Sequence, residues 1–338
     1  MKISRDISLK PYNTFGIDVK TRFFTEVFSE ETLKEALSYA GKEALTSMTL
    51  GGGSNVLFTK DFEGLIIKNS IPGIEKIKED REHVYIKAGA GVVWHEFVLY
   101  CLQNNLAGVE NLALIPGYIG ASPMQNIGAY GAEIKDVFEE LSALNKFDLS
   151  THTFKTKDCE FGYRESIFKT RLKDQFVITD VTYRLNKTPL LNIEYGAIRQ
   201  ELEKNKVQEL TIRAVANAVI NIRSSKLPDP KLIGNAGSFF KNPSVPYADF
   251  ERLKNEFPEI VAYPNDDGAM KLAAGWLIEK CGFKGATRGA AGVHDKQSLV
   301  LVNRGDAKGS EILALSHEVK NAVLDKFGVA ITPEVNII

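Results

Sequence analysis

A loop at residues 235–243 holds the serine of this chain that is best placed to take part in chemistry. Ser238 follows Gly237, which lets the backbone approach a ligand closely, and precedes two phenylalanines. A hydrolase nucleophile would need a glycine two residues to either side of the serine, and those places hold Ala236 and Phe240. Because no base is adjacent, Ser238 suits proton donation better than nucleophilic attack.

Two glycine-rich segments upstream could bind phosphate groups through backbone amides. Residues 51–55 match neither the P-loop nor the Rossmann pattern, so a tight turn between strands is the simpler interpretation of this segment alone. Residues 115–133 contain four glycines and two prolines. Two such segments in one chain favour a cradle for a dinucleotide. The candidate cofactor-binding residues are Gly51, Gly52, Gly53, Ser54, Asn55, Pro116, Gly117, Gly120, Ala121, Ser122, Gln125, Asn126, Gly128, Ala129, Tyr130 and Gly131.

The composition is that of a globular protein and excludes several function classes. With 338 residues, of which 44% are hydrophobic and 25% charged, the chain is long enough for two or three domains. The net charge of −1 disfavours nucleic acid as a partner. No apolar run could span a membrane and the first residues lack the apolar core of a signal peptide, so we expect a cytoplasmic protein. The three cysteines and five histidines show no metal-ligand spacing, so we expect no metal.

The elements that must position these residues follow from hydrophobic periodicity and indicate an α+β protein. Apolar residues recur on one face of a helix over residues 31–40, which Ser29 can cap and Gly41 can end. Two prolines around Asp229 predict a boundary near residue 226. Further helices are predicted over residues 93–102, 207–222, 268–280 and 310–327, and strands over residues 46–50, 64–68, 84–88, 141–148, 176–185, 298–303 and 333–338.

Taken in order along the chain, six segments resemble the UDP-N-acetylenolpyruvoylglucosamine reductase family. The resemblance covers essentially the whole chain, and the combination of motifs is highly specific. Tyr195, within an insertion, resembles the tyrosine of the longer type I branch, in which a tyrosine loop folds over the substrate. The segments are residues 51–55, 116–133, 163–168, 226–230, 235–243 and 333–335.

The resemblance implies a vanillyl-alcohol-oxidase/PCMH-type FAD-binding fold of two α+β lobes, followed by an α+β substrate-binding domain. The first lobe is expected at residues 1–69 together with a C-terminal strand at residues 329–338. The second lobe is expected at residues 70–225, and the substrate-binding domain at residues 226–328. The implied activity is the NADPH-dependent, FAD-mediated reduction of UDP-N-acetylglucosamine enolpyruvate to UDP-N-acetylmuramate in peptidoglycan synthesis, by a monomeric enzyme.

Three positions match the family's catalytic residues, which are Arg164, Ser238 and Glu334. In this interpretation Ser238 protonates C2 of the substrate after a hydride has reached C3. The candidate substrate-binding residues are Tyr195, Arg223, Lys226, Lys241, Asn242, Lys284 and Gln297. Two alternatives are another flavin-dependent oxidase of the same fold and a non-catalytic protein that binds sugar nucleotides. Such oxidases often hold flavin covalently through His or Cys, and neither glycine-rich segment contains one.

Overall fold

The computed structural model describes residues 1–265 and 268–338. The chain forms two compact units, unit 1 (Met1–Ile7, Thr21–Gly53 and Phe62–Ser225) and unit 2 (Ser8–Lys20, Ser54–Asp61 and Lys226–Ile338). The helices are α1 Glu30–Lys42, α2 Trp94–Gln103, α3 Gly196–Lys204, α4 Ile212–Lys226, α5 Tyr247–Glu256, α6 Ala274–Lys280 and α7 Gly309–Phe327. The strands are β1 Ser4–Ser8, β2 Lys20–Val27, β3 Ser47–Leu50, β4 Val56–Leu57, β5 Phe62–Asn69, β6 Ile74–Glu79, β7 His83–Gly89, β8 Gly128–Ala129, β9 Ala132–Glu133, β10 Phe138–Asn145, β11 Thr151–Lys155, β12 Phe176–Asn186, β13 Gly234–Asn235, β14 Ser244–Val245, β15 Ala262–Pro264, β16 Met270–Leu272, β17 Thr287–Arg288, β18 Ala291–Val293, β19 Leu301–Asn303 and β20 Asn336–Ile337.

The first sheet of unit 1 has the strand order β1-β2-β5-β3, and β5 runs parallel to both β2 and β3. Helix α1 buries its apolar face in a cluster with Leu65 and Ile67 of β5. As predicted, Ser29 caps α1, because its Oγ accepts a hydrogen bond from the Thr32 N–H. Strand β3 leads directly into the first glycine-rich segment, so this sheet fixes where that segment begins.

The predicted end of α1 at Gly41 is wrong, since the helix continues through Lys42. The left-handed backbone that ends a helix is taken by Ala44, which has a φ of 50°. Its N–H donates to the Gly41 carbonyl at 3.2 Å. Gly41 therefore lies inside the last helical turn.

The second sheet of unit 1, in the order β11-β10-β12-β7-β6, is antiparallel throughout. Apolar residues of β7, β10 and β12 form one buried cluster with α2, α3 and α4. Inside this cluster the Tyr183 ring contacts Trp94 and Phe97, at centroid distances of 5.7 and 4.7 Å. The Tyr183 hydroxyl lies 2.7 Å from the Oγ of Ser122, so this core supports the second glycine-rich segment directly.

Between residues 196 and 226 the chain forms two helices, whereas only one is predicted, over residues 207–222. Helix α4 starts later than predicted, at Ile212, because the Thr211 Oγ1 accepts a hydrogen bond from the Ala214 N–H at 3.1 Å. Helix α3 is missed because it has few apolar residues, and only Ile198 and Leu202 of its nine residues are buried.

Unit 2 contains an antiparallel sheet in the order β13-β19-β18-β17 and a smaller one in the order β14-β16-β15. Helix α7 packs on β18 and β19, and its predicted stripe of Ile312, Leu315, Val319 and Val323 is buried. The predicted helix over residues 268–280 is wrong in its first turns, because β16 occupies part of that range and α6 begins only at Ala274. The tail forms a short strand as predicted, and this strand, β20, pairs in parallel with β4.

Candidate active site

The two glycine-rich segments meet within unit 1. A Cβ added to Gly52 would lie 3.1 Å from the Tyr118 ring and 3.3 Å from the Cα of Gly117, so any other residue would press on the second segment. Among residues 1–265 and 268–338, the backbone N–H groups of Gly51, Gly52, Gly117 and Tyr118 have no protein acceptor. Amides of this kind can bind the phosphate oxygens of a dinucleotide.

Two side chains predicted to bind the cofactor form hydrogen bonds within the protein. The Ser122 hydroxyl is 1% exposed and donates to the Ile119 carbonyl at 2.8 Å. The Asn126 side chain is fully buried, and its Nδ2 donates to the Glu133 carboxylate at 2.9 Å. Both side chains therefore hold the second segment in shape. Gln125 is partly exposed, and its Oε1 accepts from Lys169 at 3.5 Å.

The Arg164 side chain is hydrogen-bonded to the second glycine-rich segment. Its guanidinium donates to the backbone carbonyls of Gly128 and Asn126 and lies 5.3 Å from the centre of the Tyr163 ring. The backbone of Arg164 has a φ of 55°, which is uncommon for a residue other than glycine. The Nδ2 of Asn126 also donates to the Gly162 carbonyl at 3.1 Å, so the turn that carries Arg164 is tied to the same segment.

A cationic and aromatic cluster surrounds Arg223 in unit 1. Its Nε donates to the Leu114 carbonyl at 3.3 Å, and its guanidinium hydrogen-bonds Tyr130. Burial lowers the pKa of Arg223, and the nearby Arg164 acts in the same direction. The Tyr130 ring meets the half-exposed Tyr195 edge to face at 5.3 Å. Two guanidinium groups and two phenols in one place can bind an anionic ligand.

Two residues that support this cluster are missed by sequence reasoning. The Nδ1 of His95 accepts a hydrogen bond from the Leu114 N–H at 3.0 Å, and burial, together with Arg223, lowers the pKa of this imidazole. Asn111, 2% exposed, donates to the carbonyls of Tyr130 and Asn192 at 2.9 and 2.8 Å. No motif spacing identifies either residue, because the backbone groups to which they hydrogen-bond are distant in the sequence.

Ser238 and Glu334 come together in unit 2 through backbone pairing. The Glu334 N–H donates to the Phe239 carbonyl at 2.8 Å, beside a bridge between Phe240 and Pro333. The Glu334 carbonyl accepts from the Nδ2 of Asn55 at 3.4 Å. The end of the first glycine-rich segment, the serine loop and the tail glutamate are thus joined within one unit.

The candidate substrate-binding residues of unit 2 fall into two groups. Asn242 and Gln297 adjoin the start of α6: the Asn242 Oδ1 accepts from the Ala274 N–H at 3.0 Å, and the Gln297 Oε1 would be 3.2 Å from a Cβ at Gly275. Lys241 is half-buried next to Asn242. Lys226 and Lys284 are exposed, and Lys284 forms an ion pair with Glu279 at 3.0 Å. The structure therefore keeps Lys284 engaged with a surface carboxylate.

Within the described part of the chain, no helix is long and apolar enough to cross a membrane. Across the same residues, no three His, Cys, Asp or Glu side chains are grouped in a way that could hold a metal ion. Cys101 and Cys159 are buried, and burial raises the pKa of both thiols.

Comparisons with known proteins identify the family of the chain. Residues 229–338 match the family described as UDP-N-acetylenolpyruvoylglucosamine reductase, C-terminal domain, and residues 22–146 match an FAD binding domain. The UDP-N-acetylenolpyruvoylglucosamine reductase of Flavobacterium johnsoniae is 51% identical, with 100% of each chain covered. The protein of that name from Pseudomonas aeruginosa is 46% identical, over 100% of this chain and 99% of its own. A crystal structure of UDP-N-acetylenolpyruvylglucosamine reductase from Thermus caldophilus has a TM-score of 0.69 at 23% identity, covering 100% of this chain and 99% of that one.

The FAD binding domain and the α+β architecture define a flavin-dependent oxidoreductase, and the expected flavin-binding fold is confirmed. The identities over full length then fix the family. The chain belongs to the UDP-N-acetylenolpyruvoylglucosamine reductase family.

Proposed function

We propose that this protein reduces UDP-N-acetylglucosamine enolpyruvate to UDP-N-acetylmuramate with NADPH and bound FAD. This reaction belongs to peptidoglycan synthesis, and through it to cell shape and cell division. Full-length similarity to proteins named for this reductase supports the proposal. With the proposal we keep the expected cytoplasmic, monomeric state and the three-lobe division at residues 1–69 with 329–338, 70–225 and 226–328.

One observation carries the proposal: each candidate catalytic residue adjoins a candidate flavin-binding segment within its own unit. In unit 1 the Arg164 guanidinium donates to the Gly128 carbonyl. In unit 2 the Glu334 carbonyl accepts from Asn55, and Ser238 precedes the residue whose carbonyl accepts the Glu334 N–H. Reduction of a carbon–carbon double bond adds a hydride to one carbon and a proton to its neighbour, so the acid must act close to the flavin.

The two glycine-rich segments of unit 1 fit FAD. The amides of Gly51, Gly52, Gly117 and Tyr118 offer donors for its pyrophosphate, and the missing Cβ at Gly52 lets the two segments that carry them lie close together. When bound, FAD supplies the hydride that reaches C3 of the enolpyruvyl group. The Ser122 hydroxyl, through its contacts with the Ile119 carbonyl and the Tyr183 hydroxyl, keeps the second segment rigid.

The three catalytic side chains have chemically distinct tasks. Arg164 offers a planar, permanently charged donor for the substrate carboxylate, which takes up negative charge as the hydride arrives at C3. Glu334 can add a hydrogen bond to that charge if it is protonated, and a site shared with an anionic substrate favours the protonated form. Ser238 then donates its proton to C2, which completes the addition of two hydrogens across the double bond.

The remaining candidates would bind the sugar nucleotide. Arg223, held between Leu114 and Tyr130, adds positive charge near Arg164. Tyr195, 46% exposed and stacked edge to face on Tyr130, could cover the substrate. NADPH and the sugar nucleotide both carry a diphosphate, so the same groups can serve each in turn. The other candidates for these contacts are Lys226, Lys241, Asn242, Lys284 and Gln297.

The Ser238→Ala variant tests the assignment of the acid. We expect NADPH to reduce the flavin of this variant at nearly the wild-type rate, because that step needs no proton from Ser238. Reoxidation by UDP-N-acetylglucosamine enolpyruvate should slow by about a hundredfold or more, the usual effect of losing a general acid. Anaerobic stopped-flow spectra measure both steps separately.

Ser310→Ala is the matched control, because Ser310 is exposed in the first turn of α7. It should leave both rates unchanged. Rapid reoxidation of the Ser238→Ala flavin would remove Ser238 from the mechanism, and wild-type protein that makes no UDP-N-acetylmuramate would overturn the proposed activity itself.

A further inference from the structure

Lys68 is a buried cation that the proposed mechanism does not use. It lies in β5, a central strand of the first sheet of unit 1, and is 7% exposed. Its Nζ donates to the Gly51 carbonyl at 2.6 Å and lies 3.9 Å from the centre of the Tyr118 ring. Gly51 belongs to the first glycine-rich segment and Tyr118 to the second, so one ammonium group contacts both.

The charge of Lys68 is not balanced by a close carboxylate. Among the residues that the structure describes, none forms an ion pair with its ammonium. Glu26, its register partner on β2, is exposed and accepts a hydrogen bond from Ser70 at 2.6 Å. Burial lowers the pKa of Lys68 to about 8, and the attraction of Glu26 opposes this only in part. An unpaired buried ammonium is costly, which suggests that a bound ligand completes its surroundings.

Lys68 is the group in this cluster whose charge changes near pH 8, because its titratable neighbour Tyr118 does not ionise there. Burial raises the pKa of Tyr118 above its usual value of 10.0, and the nearby Glu26 and Glu96 act in the same direction. Tyr118 therefore stays neutral where Lys68 loses its proton.

We infer that Lys68 is a positioning residue for FAD, which holds the two glycine-rich segments together and supplies the positive charge that favours the FAD pyrophosphate. This inference rests on the proposed flavin site. The carbonyl of Gly51 and the face of the Tyr118 ring are both attractive to a cation, so the protonated lysine joins them. Loss of that proton removes the charge and weakens the contacts to both segments, since a neutral amine is a poorer donor and has no cation–π attraction.

The inference makes FAD affinity depend on pH with a definite sign. Bound pyrophosphate favours charged Lys68, so tight binding is fully present below about pH 8 and is lost as the pH rises through that value. Wild-type affinity should therefore fall by about tenfold between about pH 7 and about pH 9, with at most tenfold loss per pH unit for one proton.

The test follows FAD release from the full-length holoprotein on dilution, by the rise in flavin fluorescence, across this pH range. We expect Lys68→Met to release FAD at least about tenfold faster at neutral pH and to show no pH dependence. Lys68→Arg, whose charge is permanent, should bind within about threefold of wild type at neutral pH and stay tight at high pH. Lys60→Met is the matched control, since Lys60 is exposed, and should behave like wild type.

The outcomes separate this inference from the proposed function. If the wild-type protein binds no FAD, the proposed function fails. If it binds FAD, but Lys68→Met binds FAD as tightly as wild type and with the same pH dependence, the positioning role is overturned. The melting temperature of the flavin-free protein shows whether Lys68→Met folds. If it does not, the pH dependence of FAD release from the wild-type protein still decides, because release that does not change with pH would contradict the inference.

Discussion

Replacing Asn126 should destabilise unit 1 more than any surface change, because its side chain joins three parts of the site. Its Nδ2 donates to the Glu133 carboxylate at 2.9 Å and to the Gly162 carbonyl at 3.1 Å, and its Oδ1 accepts from the Lys135 N–H at 3.1 Å. The residue is 0% exposed and has a φ of 43°, a left-handed conformation that asparagine tolerates.

The size of the effect of Asn126→Ala follows from these contacts. Two neutral hydrogen bonds contribute about 1 kcal/mol each, and the one to a carboxylate about 2 kcal/mol. Placing alanine in the left-handed region adds about 1 kcal/mol. The Glu133 side chain is 23% exposed, so water recovers part of the loss. We expect the free energy of unfolding to fall by about 3–5 kcal/mol, at the upper end for single substitutions.

Urea unfolding of the purified variants measures this change. Asn126→Gly removes the same hydrogen bonds but adopts positive φ without strain, so it should be at least as stable as Asn126→Ala. Asn104→Ala, at an exposed position, should cost less than about 1 kcal/mol. A loss below about 1 kcal/mol for Asn126→Ala would refute the view that this side chain holds the Arg164 turn to the glycine-rich segment.

Two further predictions concern a buried acid and the flavin cradle. Glu110 is 3% exposed, and burial raises its pKa above 4.5. The protein is therefore most stable with Glu110 protonated, below pH 4.5, and loses that stability as the pH rises through the pKa of Glu110 in the folded state. Glu110→Gln, which can still accept from the Gly108 N–H, should therefore raise the melting temperature at pH 8 but not at pH 4, and equal gains at both would contradict this. Gly52→Ala should weaken FAD binding by about tenfold, about 1.4 kcal/mol by fluorescence titration, because its Cβ would press on Tyr118. Gly41→Ala has open space around it and lies in α1, so it should leave FAD affinity unchanged and raise stability by about 0.5–1 kcal/mol.

Local signals explain which elements could be predicted from the sequence. The cap of α1 by Ser29 and the buried stripe of α7 depend on neighbours within a few residues, and both are found. Helix α3 has too few apolar residues to be recognised, and β16 interrupts a range whose residues favour a helix. The error at β16 arises because pairing with β14 and β15 decides the local conformation there.

In the site, too, features that depend on residue type could be predicted from the sequence, whereas contacts between distant residues could not. The glycines at residues 51–53 indicate a backbone site by their type alone, whereas the pairing of Glu334 with Phe239 joins positions far apart in the sequence. The partners of the Asn126 side chain, the Glu133 carboxylate and the Gly162 carbonyl, are likewise not marked by any local sequence signal. Lys68 gives one usable signal, a lysine directly after the apolar run at residues 65–67, where charge is costly to bury.

The central claim is the pair of half-reactions on bound FAD, and an anaerobic flavin spectrum of the purified protein tests it most directly. NADPH is added first, and UDP-N-acetylglucosamine enolpyruvate second. We predict that NADPH bleaches the flavin band and that the enolpyruvyl substrate restores it with formation of UDP-N-acetylmuramate. Flavin that bleaches but recovers only with oxygen, or protein that takes up no FAD on reconstitution, would contradict the account.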